Sequence, residues 1–562
     1  MIKRTGAQIV VELLSCQGIR TVAGIPGGAN LPLYDALAQN GTIRHVLARH
    51  EQGAGFIAQG MARVSGLPAV CFASSGPGAT NLLTAIADAK LDSVPLICIT
   101  GQVPTAMIGT DAFQEVDTYS LSGPITKYNF FVHAASDLLE VIPAAFRIAS
   151  SGRPGPVLID IPKDVQTQMV AFEAWPAPAR PEPLPNFSLA EVERAAEFIN
   201  AAQRPLLYVG GGVIQSGAGH LVAALAEKAA MPTTMTLMGL GALPMDYPLA
   251  IGMLGMHAAR YTNLALEECD LLLAAGVRFD DRATGKVAAF CPNAKIVHID
   301  IDRSEINKIK TAHVGIVGDV GEVLAALLPL VEQNPRHEWR ALVSQLKQCY
   351  PLVTPGAHDF RSPYGLILQV AGLLNDDTII TTDVGQHQMW AAQVYPLHRA
   401  RQWLTSGGLG TMGFGLPAAI GAALACPERT VVCFSGDGSM LMNIQELATA
   451  VEQNANVKIM VMNNNSLGLV HQQQELFYGN RIYAADFQTH VDFVKVAEGF
   501  GMEAYNLATV EDPTRLLTRV FQKHGPCLIN VPINVQEKVY PMVPSGFANK
   551  DMMGGEAYRS PN

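Results

Sequence analysis

TVVCFSGDGSM, residues 430–440, and VKIMVMNNNS, residues 457–466, are the two stretches that decide the fold of this sequence. Each is an apolar run of strand length that ends in Gly, Asp or Asn, and a segment of helix length separates them. This pattern predicts two parallel β-strands joined by a helix. Because parallel strands end at the same edge of a sheet, the Asp437 carboxylate and the Asn464 amide can converge there on one hard cation.

The glycines around Asp437 suit a bound anion. Gly436 and Gly438 allow backbone N–H groups to approach phosphate oxygens, and Ser439 is expected to open a helix whose positive end favours negative charge. Either motif alone is more often an ordinary turn. Together, directly after two strands, they favour a Mg²⁺ and diphosphate site over two unrelated turns.

The same alternation of strands and helices continues in both directions and predicts an α/β fold of three doubly wound parallel-sheet domains. Strands are expected at residues 21–25, 43–47, 69–73, 96–100, 206–209, 271–275, 296–301, 378–382, 430–434, 457–462 and 527–531. The expected domains are residues 1–171, 189–335 and 364–539, joined by linkers at 172–188, which holds five prolines, and at 336–363. Residues 540–562 are rich in Gly, Pro and Met and are expected to be a flexible flap with a disordered end.

Composition bounds what the protein binds and where it works. The formal net charge of −10 and the lack of Lys/Arg clusters argue against nucleic acid or an anionic membrane as a partner. No uncharged apolar run reaches the roughly 18 residues that span a bilayer. Lys3 and Arg4 precede an apolar stretch that Glu12 interrupts, so an amphipathic helix is expected there rather than a signal peptide. Nine scattered cysteines, without a C-x-x-C pair, favour the reducing cytoplasm.

A second candidate group is Glu51, in the run RHEQGAG at residues 49–55. It stands directly after an expected strand and at the start of an expected helix, where a carboxylate can serve in acid–base chemistry. A Glu in a first helical turn is, however, commonly only a partner of the helix dipole. The residues alone leave both interpretations open.

Over nearly the whole chain, the sequence resembles the catalytic subunits of the acetolactate synthase (acetohydroxyacid synthase) family of thiamine-diphosphate enzymes. The matching runs are GIPGG (24–28), RHEQGAGFIAQGMAR (49–63), SGPGATN (75–81), GTDAFQE (109–115), SGRPGPV (151–157), IPKDV (161–165), MLGMH (253–257), RFDDR (278–282), DVGQHQMW (383–390), SGGLGTMGFGLPAAIGA (406–422) and GDG followed by NN. The resemblance implies that the three domains bind, in chain order, the pyrimidine of thiamine diphosphate, FAD, and the diphosphate with Mg²⁺.

The resemblance also implies the thiamine and metal contacts. Glu51 would exchange a proton with N1′ of the pyrimidine, and Mg²⁺ would take the side chains of Asp437 and Asn464 and the main-chain carbonyl of Ser466. In this family the Glu and the diphosphate site meet across a subunit interface, which implies a homodimer or a larger assembly. The further contacts implied are Gln386, His387, Gly436, Gly438 and Ser439 near the diphosphate, the Gly410 carbonyl for the 4′-amino group, and Met412 as the wedge that bends the cofactor. The alternative for Met412 is a core methionine.

Substrate contacts follow from the same resemblance. Gly28 would offer a backbone N–H near the reacting oxygen, unless it only starts a helix. Arg278 would meet the carboxylate of the second keto acid, unless it is a solvated arginine. Phe113, Gln114 and Lys163 would line the pocket from the neighbouring subunit.

Gln473 marks a departure from the family pattern. Many members carry Trp at this position, where the ring packs on the extra methyl of 2-ketobutyrate. An amide offers that methyl less apolar surface, so the sequence predicts only weak preference for 2-ketobutyrate over pyruvate. The alternative is that Gln473 is a surface residue without substrate contact.

The middle domain carries signs of a dinucleotide site. Three glycines follow one expected strand, and Asp300 and Asp302 follow another, although the G-x-G-x-x-G of NAD-binding folds is missing. The resemblance implies FAD there, needed for structure although the net reaction is not a redox one. The implied flavin contacts are Arg153, Gly210, Gly211, Gly212, Met253, Leu254, Gly255, Met256, His257, Asp300 and Asp319.

The activity implied is decarboxylation of pyruvate and transfer of its two-carbon unit to a second 2-keto acid. Pyruvate as acceptor gives 2-acetolactate and 2-ketobutyrate gives 2-aceto-2-hydroxybutyrate, on the route to valine, leucine and isoleucine. A small regulatory subunit is an expected partner. One competing class is a flavin oxidase of the pyruvate oxidase kind, which GTDAFQE and RFDDR disfavour. Another is a non-catalytic paralogue, which should have lost Glu51, Asp437 or Asn464. Glyoxylate carboligase is disfavoured because that relative lacks the catalytic Glu.

Overall fold

Three six-stranded sheets follow one another along the chain in the computed structural model, which describes residues 1–184 and 186–554. Neighbouring strands within each of these sheets are parallel, and helices alternate with the strands along the chain. The predicted α/β fold with three parallel-sheet domains is confirmed. They are called the first, middle and third units below.

The first unit has the sheet order β3-β2-β4-β5-β7-β6. Its strands are β1 (Ile2–Thr5), β2 (Thr21–Gly24), β3 (Arg44–Leu47), β4 (Ala69–Ala73), β5 (Leu96–Gln102), β6 (Tyr128–Phe131), β7 (Val157–Pro162) and β8 (Met169–Phe172). Its helices are α1 (Gly6–Cys16), α2 (Leu31–Asn40), α3 (Glu51–Ser65), α4 (Pro77–Leu91), α5 (Thr118–Ser122), α6 (Leu138–Ser150) and α7 (Lys163–Thr167), with 3-10 turns at Thr105–Met107, Gly123–Ile125 and Ala135–Asp137.

The middle unit has the order β11-β10-β9-β12-β13-β14. Its strands are β9 (Pro205–Val209), β10 (Thr233–Met235), β11 (Ala250–Met253), β12 (Leu271–Ala275), β13 (Lys295–Asp300) and β14 (Val314–Val317). Its helices are α8 (Leu189–Ala201), α9 (Gly211–Ser216), α10 (Gly219–Lys228), α11 (Arg260–Glu268), α12 (Asp281–Thr284), α13 (Val320–Leu327) and α14 (His337–Cys349), with 3-10 turns at Leu237–Gly239, Val287–Ala289 and Leu328–Leu330.

The third unit has the order β16-β15-β17-β18-β20-β19. Its strands are β15 (Ile379–Thr382), β16 (Trp403–Leu404), β17 (Val431–Gly436), β18 (Val457–Asn463), β19 (Glu503–Asn506) and β20 (Cys527–Pro532). Its helices are α15 (Pro363–Gly372), α16 (Gln386–Val394), α17 (Gly415–Ala425), α18 (Asp437–Met440), α19 (Glu446–Glu452), α20 (Gly468–Phe477), α21 (Phe493–Gly499) and α22 (Pro513–Gln522), with 3-10 turns at Leu507–Thr509 and, in the tail, Asn549–Asp551.

The N-terminal helix predicted from the sequence is present as α1, but an unpredicted strand precedes it. Strand β1 forms first and pairs antiparallel with β8, so α1 begins only at Gly6. Thr5 caps this helix, because its hydroxyl accepts from the N–H of Gln8 and the Gln8 side chain accepts from the N–H of Thr5. Strand β8 ends at Phe172, so sheet pairing reaches the first residue of the proline-rich segment that was expected as a linker.

The strands at the centre of the sheets are mostly apolar, although β5 and β7 also carry the buried polar residues Thr100 and Asp160. Every residue of β4, β5, β7, β9, β12 and β17 is buried, as expected of parallel strands that helices cover on both faces. The predicted strands at residues 69–73 and 271–275 match β4 and β12 to the residue. Strand order reverses between β2 and β4, between β9 and β12 and between β15 and β17, and in doubly wound sheets such points open a crevice at the carboxyl ends of the strands.

The first and third units pack together through α3 and α17. The two helices touch backbone to backbone: a Cβ built on Gly60 would overlap the carbonyl oxygen of Ala418, and one built on Gly421 would overlap that of Ile57. Only glycine permits this approach. The crossing fixes the position of α3, and therefore of the Glu51 that begins it, relative to the third unit.

The tail from Tyr540 to Gly554 packs on the middle unit. The N–H of Val543 donates to the carbonyl of Met256 at 2.8 Å, and the Asn549 amide donates to the carbonyl of Ala283 at 2.8 Å. The expectation of a flexible flap is therefore wrong for residues 540–554, and the expected disordered end falls on residues 555–562, outside the described residues. Within residues 1–184 and 186–554, the helices are too short or too polar to cross a bilayer.

Candidate active site

Asp437 and Asn464 lie at the carboxyl edge of the third sheet, after the neighbouring strands β17 and β18. The N–H of Ser466 donates to Asp437 Oδ2 at 3.2 Å and to Asn464 Oδ1 at 3.1 Å. One backbone N–H thus brings both side-chain oxygens close together. Burial raises the pKa of the Asp437 carboxyl to about 6, and a cation beside it would lower that pKa again.

The donor set at this edge is one of hard oxygens. Among the described residues, no group of three or more His, Cys, Asp or Glu side chains could hold a metal ion. The candidate cation site has one carboxylate, from Asp437, one amide oxygen, from Asn464, and the nearby main chain of Ser466. Oxygen donors of this kind suit Mg²⁺ better than a softer metal.

A buried imidazole beside this pair lacks a partner. Within the described residues, Nε2 of His387 makes no hydrogen bond, and burial lowers the pKa of the ring to about 3, so the ring is neutral. A Cβ on Gly436 would lie 2.8 Å from His387 Nδ1, so glycine is needed for the strand end to meet the ring. An unpartnered buried nitrogen costs free energy, and an anion beside the ring would raise the pKa of the ring again, so that the protonated ring would donate from Nε2 to an anion oxygen. The residues present therefore fit a diphosphate.

Gln386 orients the Asn464 amide. Asn464 Nδ2 donates to Gln386 Oε1 at 3.3 Å, while Gln386 Nε2 donates to Gln472 Oε1 and to the carbonyl of Glu537, both at 3.0 Å. Gln472 is fully buried and also bonds both backbone groups of Val539. The amide nitrogen of Asn464 is thus engaged, which leaves its oxygen for the side of Asp437.

Helix α18 differs from the prediction in where it begins. It starts at Asp437 rather than at Ser439 and ends at Met440, so it is a single turn. The Ser439 hydroxyl donates to the carbonyl of Val384 at 2.9 Å. A Cβ on Gly438 would lie 2.6 Å from the Leu467 side chain. Both residues lie at the same edge as Asp437, and Ser439 ties that edge to the loop before α16.

The segment 406–412 forms an open loop before α17. Gly410 has φ +72°, a left-handed conformation that glycine adopts freely, and it is exposed. Met412 is half-buried and is not a core residue. The N–H of Gly413 donates to Asp383 Oδ1 at 2.7 Å, which anchors the end of the loop.

Glu51 is the first residue of α3 at the carboxyl edge of the first sheet. The preceding His50 caps the helix, because its Nδ1 accepts from the N–H of Gln52 at 3.1 Å. Asn81 Nδ2 donates to Glu51 Oε2 at 2.9 Å. A Cβ built on Gly78 would lie 3.5 Å from Glu51 Oε1, which has no hydrogen-bond partner in the described part of the chain. One oxygen of the carboxylate is therefore held, and the other is free to exchange a proton.

The other residues expected near substrate lie on loops at the same edge. Gly28 is exposed and does not start a helix, since α2 begins at Leu31. Gln114 has φ +61°, and its Cα would lie 2.9 Å from a Cβ on Gly76, so the loop 109–116 rests against the turn that borders Glu51. Phe113 in that loop is 87% exposed. Lys163 is half-buried at the start of α7.

The middle sheet has the 3-2-1-4-5-6 order of dinucleotide-binding folds, with its reversal between β9 and β12. Gly210 and Gly212 follow β9 and contact the turn after β12. The N–H of Gly212 donates to the carbonyl of Gly276 at 3.1 Å, and a Cβ on Gly212 would lie 2.6 Å from the Gly276 Cα. Gly211 lies between them with its Cβ position 3.4 Å from Met238. Because these residues are glycines, the turn presents backbone without side chains at the point where such folds bind a dinucleotide.

Two of the expected flavin contacts have partners within the chain. Arg153 forms ion pairs with Asp302 at 3.1 Å and with Glu305 at 2.7 Å, which joins the first and middle units. Asp300 Oδ1 accepts from the N–H of Asp302 at 2.8 Å, and burial raises the pKa of Asp300 to about 6. Oε2 of Glu305 is buried without a partner in the described residues. A ligand at this edge would have to engage a preformed ionic cluster.

The remaining expected flavin contacts lie farther along the same sheet. Asp319 caps α13 with its carboxylate. The segment 253–257 runs from the end of β11 to the tail, where His257 Nδ1 lies 3.3 Å from the carbonyl oxygen of Pro541. Burial lowers the pKa of His257 to about 4, so the ring is neutral. This segment is therefore covered by the tail, whereas Asp319 belongs to the helix after β14.

A cavity of about 250 Å³ opens between the middle unit and the tail. It is lined by Met256, Asp281, Arg282, Gly285, Val543, Pro544, Ser545, Gly546 and Asn549. Arg278 is not part of this lining. Its Nη2 lies 3.2 Å from the Cβ position of Gly408, beside the loop 406–412. The cavity therefore offers a different guanidinium, that of Arg282, from the one that the sequence nominated.

Three polar residues of this region, Asn81, Arg282 and Gln472, were not predicted from the sequence. Asn81 and Arg282 stand inside the runs SGPGATN and RFDDR, so a survey of every polar side chain within matched runs would have found them. Gln472 has no such signal, because its contacts with Gln386 and Val539 join segments far apart in sequence.

Comparison with known proteins gives matches over the whole chain. Three family models match: the N-terminal thiamine pyrophosphate-binding domain of thiamine pyrophosphate enzymes at residues 4–121, their central domain at residues 192–327, and their C-terminal TPP-binding domain at residues 383–531. The large subunits of acetolactate synthase isozymes 1 and 2 of Escherichia coli strain K12 are 62% and 47% identical to the chain. These alignments cover 98% of the chain and 98% and 99% of the relatives. The chloroplastic acetolactate synthase 2 of Nicotiana tabacum is 46% identical over 98% of the chain and 85% of its own length.

Proposed function

Because the chain belongs to the acetolactate synthase large-subunit family of thiamine-diphosphate enzymes, we propose that the groups around Asp437 and around Glu51 are the two halves of its active site. The enzyme joins the two-carbon unit of one pyruvate to a second pyruvate, with loss of CO₂, at the entry to branched-chain amino acid biosynthesis. The observation that carries the assignment of residues is the buried edge of the third sheet, where the Ser466 N–H joins Asp437 to Asn464 and where Nε2 of the neighbouring His387 has no hydrogen-bond partner among the described residues.

The third unit holds the cofactor. Thiamine diphosphate, when bound, supplies the electron sink for the decarboxylation. Asp437, Asn464 and the carbonyl of Ser466 would hold Mg²⁺, which is typical of the family. With the diphosphate beside it, a protonated His387 ring would donate from Nε2 to that anion, and Gln386 would keep the Asn464 amide oxygen turned toward the metal. Gly436, Gly438 and Ser439 supply the close backbone around the diphosphate.

The first unit moves the proton. Glu51 would exchange a proton through Oε1 with the pyrimidine ring nitrogen, while Asn81 holds Oε2. Gly410 offers its carbonyl to the amino group of that ring, and the half-buried Met412 supports the bent shape of the cofactor. Gly28 presents a backbone N–H to the reacting oxygen.

We propose that two chains complete each site. Phe113 near the Glu51 half and Leu409 and Met442 near the diphosphate half are exposed apolar side chains, at 87%, 42% and 51% of their surface. Exposed apolar groups around a half-site favour burial against another surface. A second copy of the chain would bring Phe113, Gln114 and Lys163 to the diphosphate half of its partner, in a homodimer or a larger assembly.

Arg278 is the proposed contact for the carboxylate of the second keto acid, and its support is its place beside the loop 406–412. Arg282, which lines the cavity under the tail, is the alternative. Alanine at each position separates them: the residue that binds the carboxylate should raise the KM for the acceptor by about tenfold or more when it is lost, because a charge-assisted hydrogen bond disappears.

FAD is our proposal for the middle unit. It is supported by the strand order and by the bare turn at Gly210, Gly211 and Gly212. Arg153, Asp300, Asp319 and the segment 253–257 (Met253, Leu254, Gly255, Met256, His257) are its proposed contacts, with no redox role in the net reaction. The visible absorption spectrum of the purified protein, before and after denaturation, tests whether a flavin is held.

Further partners are proposals of the same kind. The relatives from Escherichia coli are named large subunits, which supports a small regulatory subunit as partner of this chain. The scattered cysteines support the cytoplasm as its location. Acceptance of 2-ketobutyrate beside pyruvate is also proposed.

Product analysis tests the function. Purified protein with pyruvate, Mg²⁺, thiamine diphosphate and FAD should release CO₂ and 2-acetolactate in equal amounts, and added 2-ketobutyrate should divert part of the product to 2-aceto-2-hydroxybutyrate. The family disfavours a flavin oxidase, so oxygen uptake should stay at background. Stoichiometric oxygen consumption with acetate or acetyl phosphate as product would overturn the proposal.

A further inference from the structure

Two buried carboxylates, one from the first unit and one from the third, each accept hydrogen bonds from backbone groups of the other unit. Asp92, at the end of α4 in the first unit, accepts from the consecutive N–H groups of residues 407–408 at 3.0 and 2.7 Å. Glu446, at the start of α19 in the third unit, accepts from the consecutive N–H groups of residues 49–50 at 2.9 and 3.1 Å. Each unit thus holds two successive backbone groups of the other.

This reciprocity follows from the shared strand order. In chain order within the six-stranded sheets, Asp92 lies between the third and fourth strands of the first sheet, β4 and β5, and Glu446 lies between the corresponding strands β17 and β18 of the third sheet. The loops that they hold follow β3 and β16, which are the second strands of these sheets. Both carboxylates therefore lie in the connection between corresponding strands, Asp92 after its helix and Glu446 at the start of its helix.

Both held loops lead directly to proposed active-site residues. Residues 49–50 immediately precede Glu51. Residues 407–408 begin the loop that presents Gly410 and Met412, and the far end of that loop is already fixed by Asp383. The two carboxylates therefore determine where these loops start.

The buried negative charge of Asp88 and Asp92 requires hydrogen-bond donors from the loop 406–412. Arg63 donates to Asp92 at 2.9 Å and to Asp88 at 3.1 Å, so one guanidinium faces two buried carboxylates. Burying the excess negative charge costs free energy unless further donors are present. Those donors come from the third unit: the Ser406 hydroxyl and the Thr411 hydroxyl bond to Asp88, and the N–H groups of residues 407–408 bond to Asp92. The network is complete only when the loop is in place.

Glu446 is fully buried, and its set of hydrogen bonds is also completed by backbone groups of the other unit. Its Oε2 accepts from the Thr449 hydroxyl at 2.6 Å, and its Oε1 takes the two N–H groups of residues 49–50. A Cβ on Gly53 would overlap Glu446 Oε1, so the bare face of α3 is what admits the carboxylate.

We propose that Asp92 and Glu446 are reciprocal positioning residues, which fix the loop before Gly410 and the loop before Glu51 across the contact between the two units. The proposal rests on the proposed function, which assigns Glu51, Gly410 and Met412 to the active site. Buried charges are poor devices for stability alone, because well-packed apolar groups serve as well. A carboxylate that accepts two successive N–H groups sets the position of a backbone.

Asp92→Asn and Glu446→Gln test the proposal, and each is the matched control of the other. Hydrogen exchange followed by mass spectrometry is measured on the full chain without cofactor. Asp92→Asn should speed exchange of the amides at residues 407–408 by about tenfold and leave those at 49–50 unchanged, and Glu446→Gln should do the reverse. Loss of protection in both loops, or in neither, would overturn the proposal.

Cofactor binding and rate give the second readout. Calorimetric titration with thiamine diphosphate at saturating Mg²⁺ should give a Kd about tenfold weaker for Asp92→Asn and within about twofold of the original for Glu446→Gln. At saturating cofactor, Glu446→Gln should lower kcat by about tenfold, because the Glu51 carboxylate is misplaced. A general loss of structure would move both parameters together in both variants.

Backbone variants keep the test decisive if a carboxylate variant does not fold. Gly408→Ala places a Cβ 3.0 Å from Asp92 Oδ1, and Gly53→Ala crowds Glu446, so each should reproduce the pattern of its partner. Selective exchange with unchanged Kd and kcat would overturn the positioning role. If Glu51→Gln is then inactive, only the positioning proposal has failed, whereas an active Glu51→Gln would show that the assignment of the active site itself is wrong.

Discussion

The first and third sheets have the same strand order, and they carry the two proposed halves of the active site. In the first, the proposed catalytic carboxylate Glu51 follows the second strand, β3. In the third, Asp437 and Asn464 follow the third and fourth strands, β17 and β18. Equal topology therefore does not give equal chemistry, because the chemistry resides in the loops at the carboxyl edge.

The two halves also differ in how complete they are within one chain. Asp437 and His387 are buried among their own unit's side chains, with exposures of 3% and 5%. Phe113 projects from the first unit with 87% of its surface exposed. The side chains of the proposed diphosphate half are therefore buried within their own unit, whereas the proposed pyrimidine half has a large exposed apolar group at its edge. This difference supports the proposal that the cation site forms within one chain and that the substrate site needs a second chain.

The largest effect is expected where the first half supplies chemistry. Glu51→Gln removes the carboxylate that exchanges the proton. It should lower kcat by about 10²–10⁴, with thiamine diphosphate binding nearly unchanged. Steady-state rates and calorimetric titration check this. Glu452→Gln, at a neighbouring carboxylate that pairs with Arg49, is the control and should keep the original rate. A rate within threefold of the original for Glu51→Gln would contradict the assignment.

The corresponding change in the third half should act on binding instead. Asp437→Ala removes the one carboxylate of the cation site, so the Mg²⁺ concentration for half-maximal activity should rise by about tenfold to a hundredfold. Activity measured across a Mg²⁺ series at fixed thiamine diphosphate checks this. Asp512→Ala, which removes the cap of α22 in the same unit, should leave the series unchanged. An unaltered Mg²⁺ requirement for Asp437→Ala would count against the site.

Gln473 tests how the third unit influences the choice between 2-ketobutyrate and pyruvate as acceptor. It is exposed on α20, the helix that follows β18 in the third unit. Gln473→Trp adds apolar surface for the extra methyl of 2-ketobutyrate and should raise the ratio of 2-aceto-2-hydroxybutyrate to 2-acetolactate by about tenfold when both acceptors compete. Gln473→Ala should leave the ratio within about twofold. Strong 2-ketobutyrate preference in the unaltered enzyme would refute this account of the pocket.

Complementation tests whether each active site takes its two halves from two different chains. Glu51→Gln and Asp437→Ala chains, co-expressed with different tags and purified through both, give dimers in which one of two sites keeps Glu51 from one chain and Asp437 from the other. Such dimers should recover about half of the original activity. If each chain built its site from its own residues, both sites would stay defective and no activity would return.

Most inner strands were predicted from the sequence and most edge strands were not, although the inner strands β7 and β10 were missed and the edge strand β3 was predicted. Fully buried strands such as β4 and β12 are uninterrupted apolar runs, so their bounds were visible. The edge strands β6 and β19 are only partly buried and lack such runs, and β16 has two residues, so none was predicted. The tail was misjudged for a related reason. Its Gly, Pro and Met content is typical of flexible segments, but tertiary contacts such as the hydrogen bond from the Val543 N–H to the Met256 carbonyl hold it in place.

The candidate site divides in the same way. Asp437, Asn464 and Glu51 stand directly after strands within short motifs, so strand ends and resemblance sufficed to nominate them. Asp92 and Glu446 could not be found, because each acts on backbone groups more than three hundred residues away along the chain. No local pattern encodes a contact of that range, and only the crossing of two units reveals it.

The glycine crossing of α3 and α17 also limits how the molecule can be altered. Replacing glycine by alanine inside a helix is a standard way to gain about 0.5–1 kcal/mol, and these two helices offer Gly60 and Gly421 as obvious targets. At both positions the added methyl would meet a carbonyl oxygen of the opposite helix, so a thermostabilisation campaign that treated them as ordinary helical glycines would drive the two units apart. In a library of variants, these two positions should be held constant. The effect of a substitution there depends on the contact between α3 and α17 and not on helix propensity.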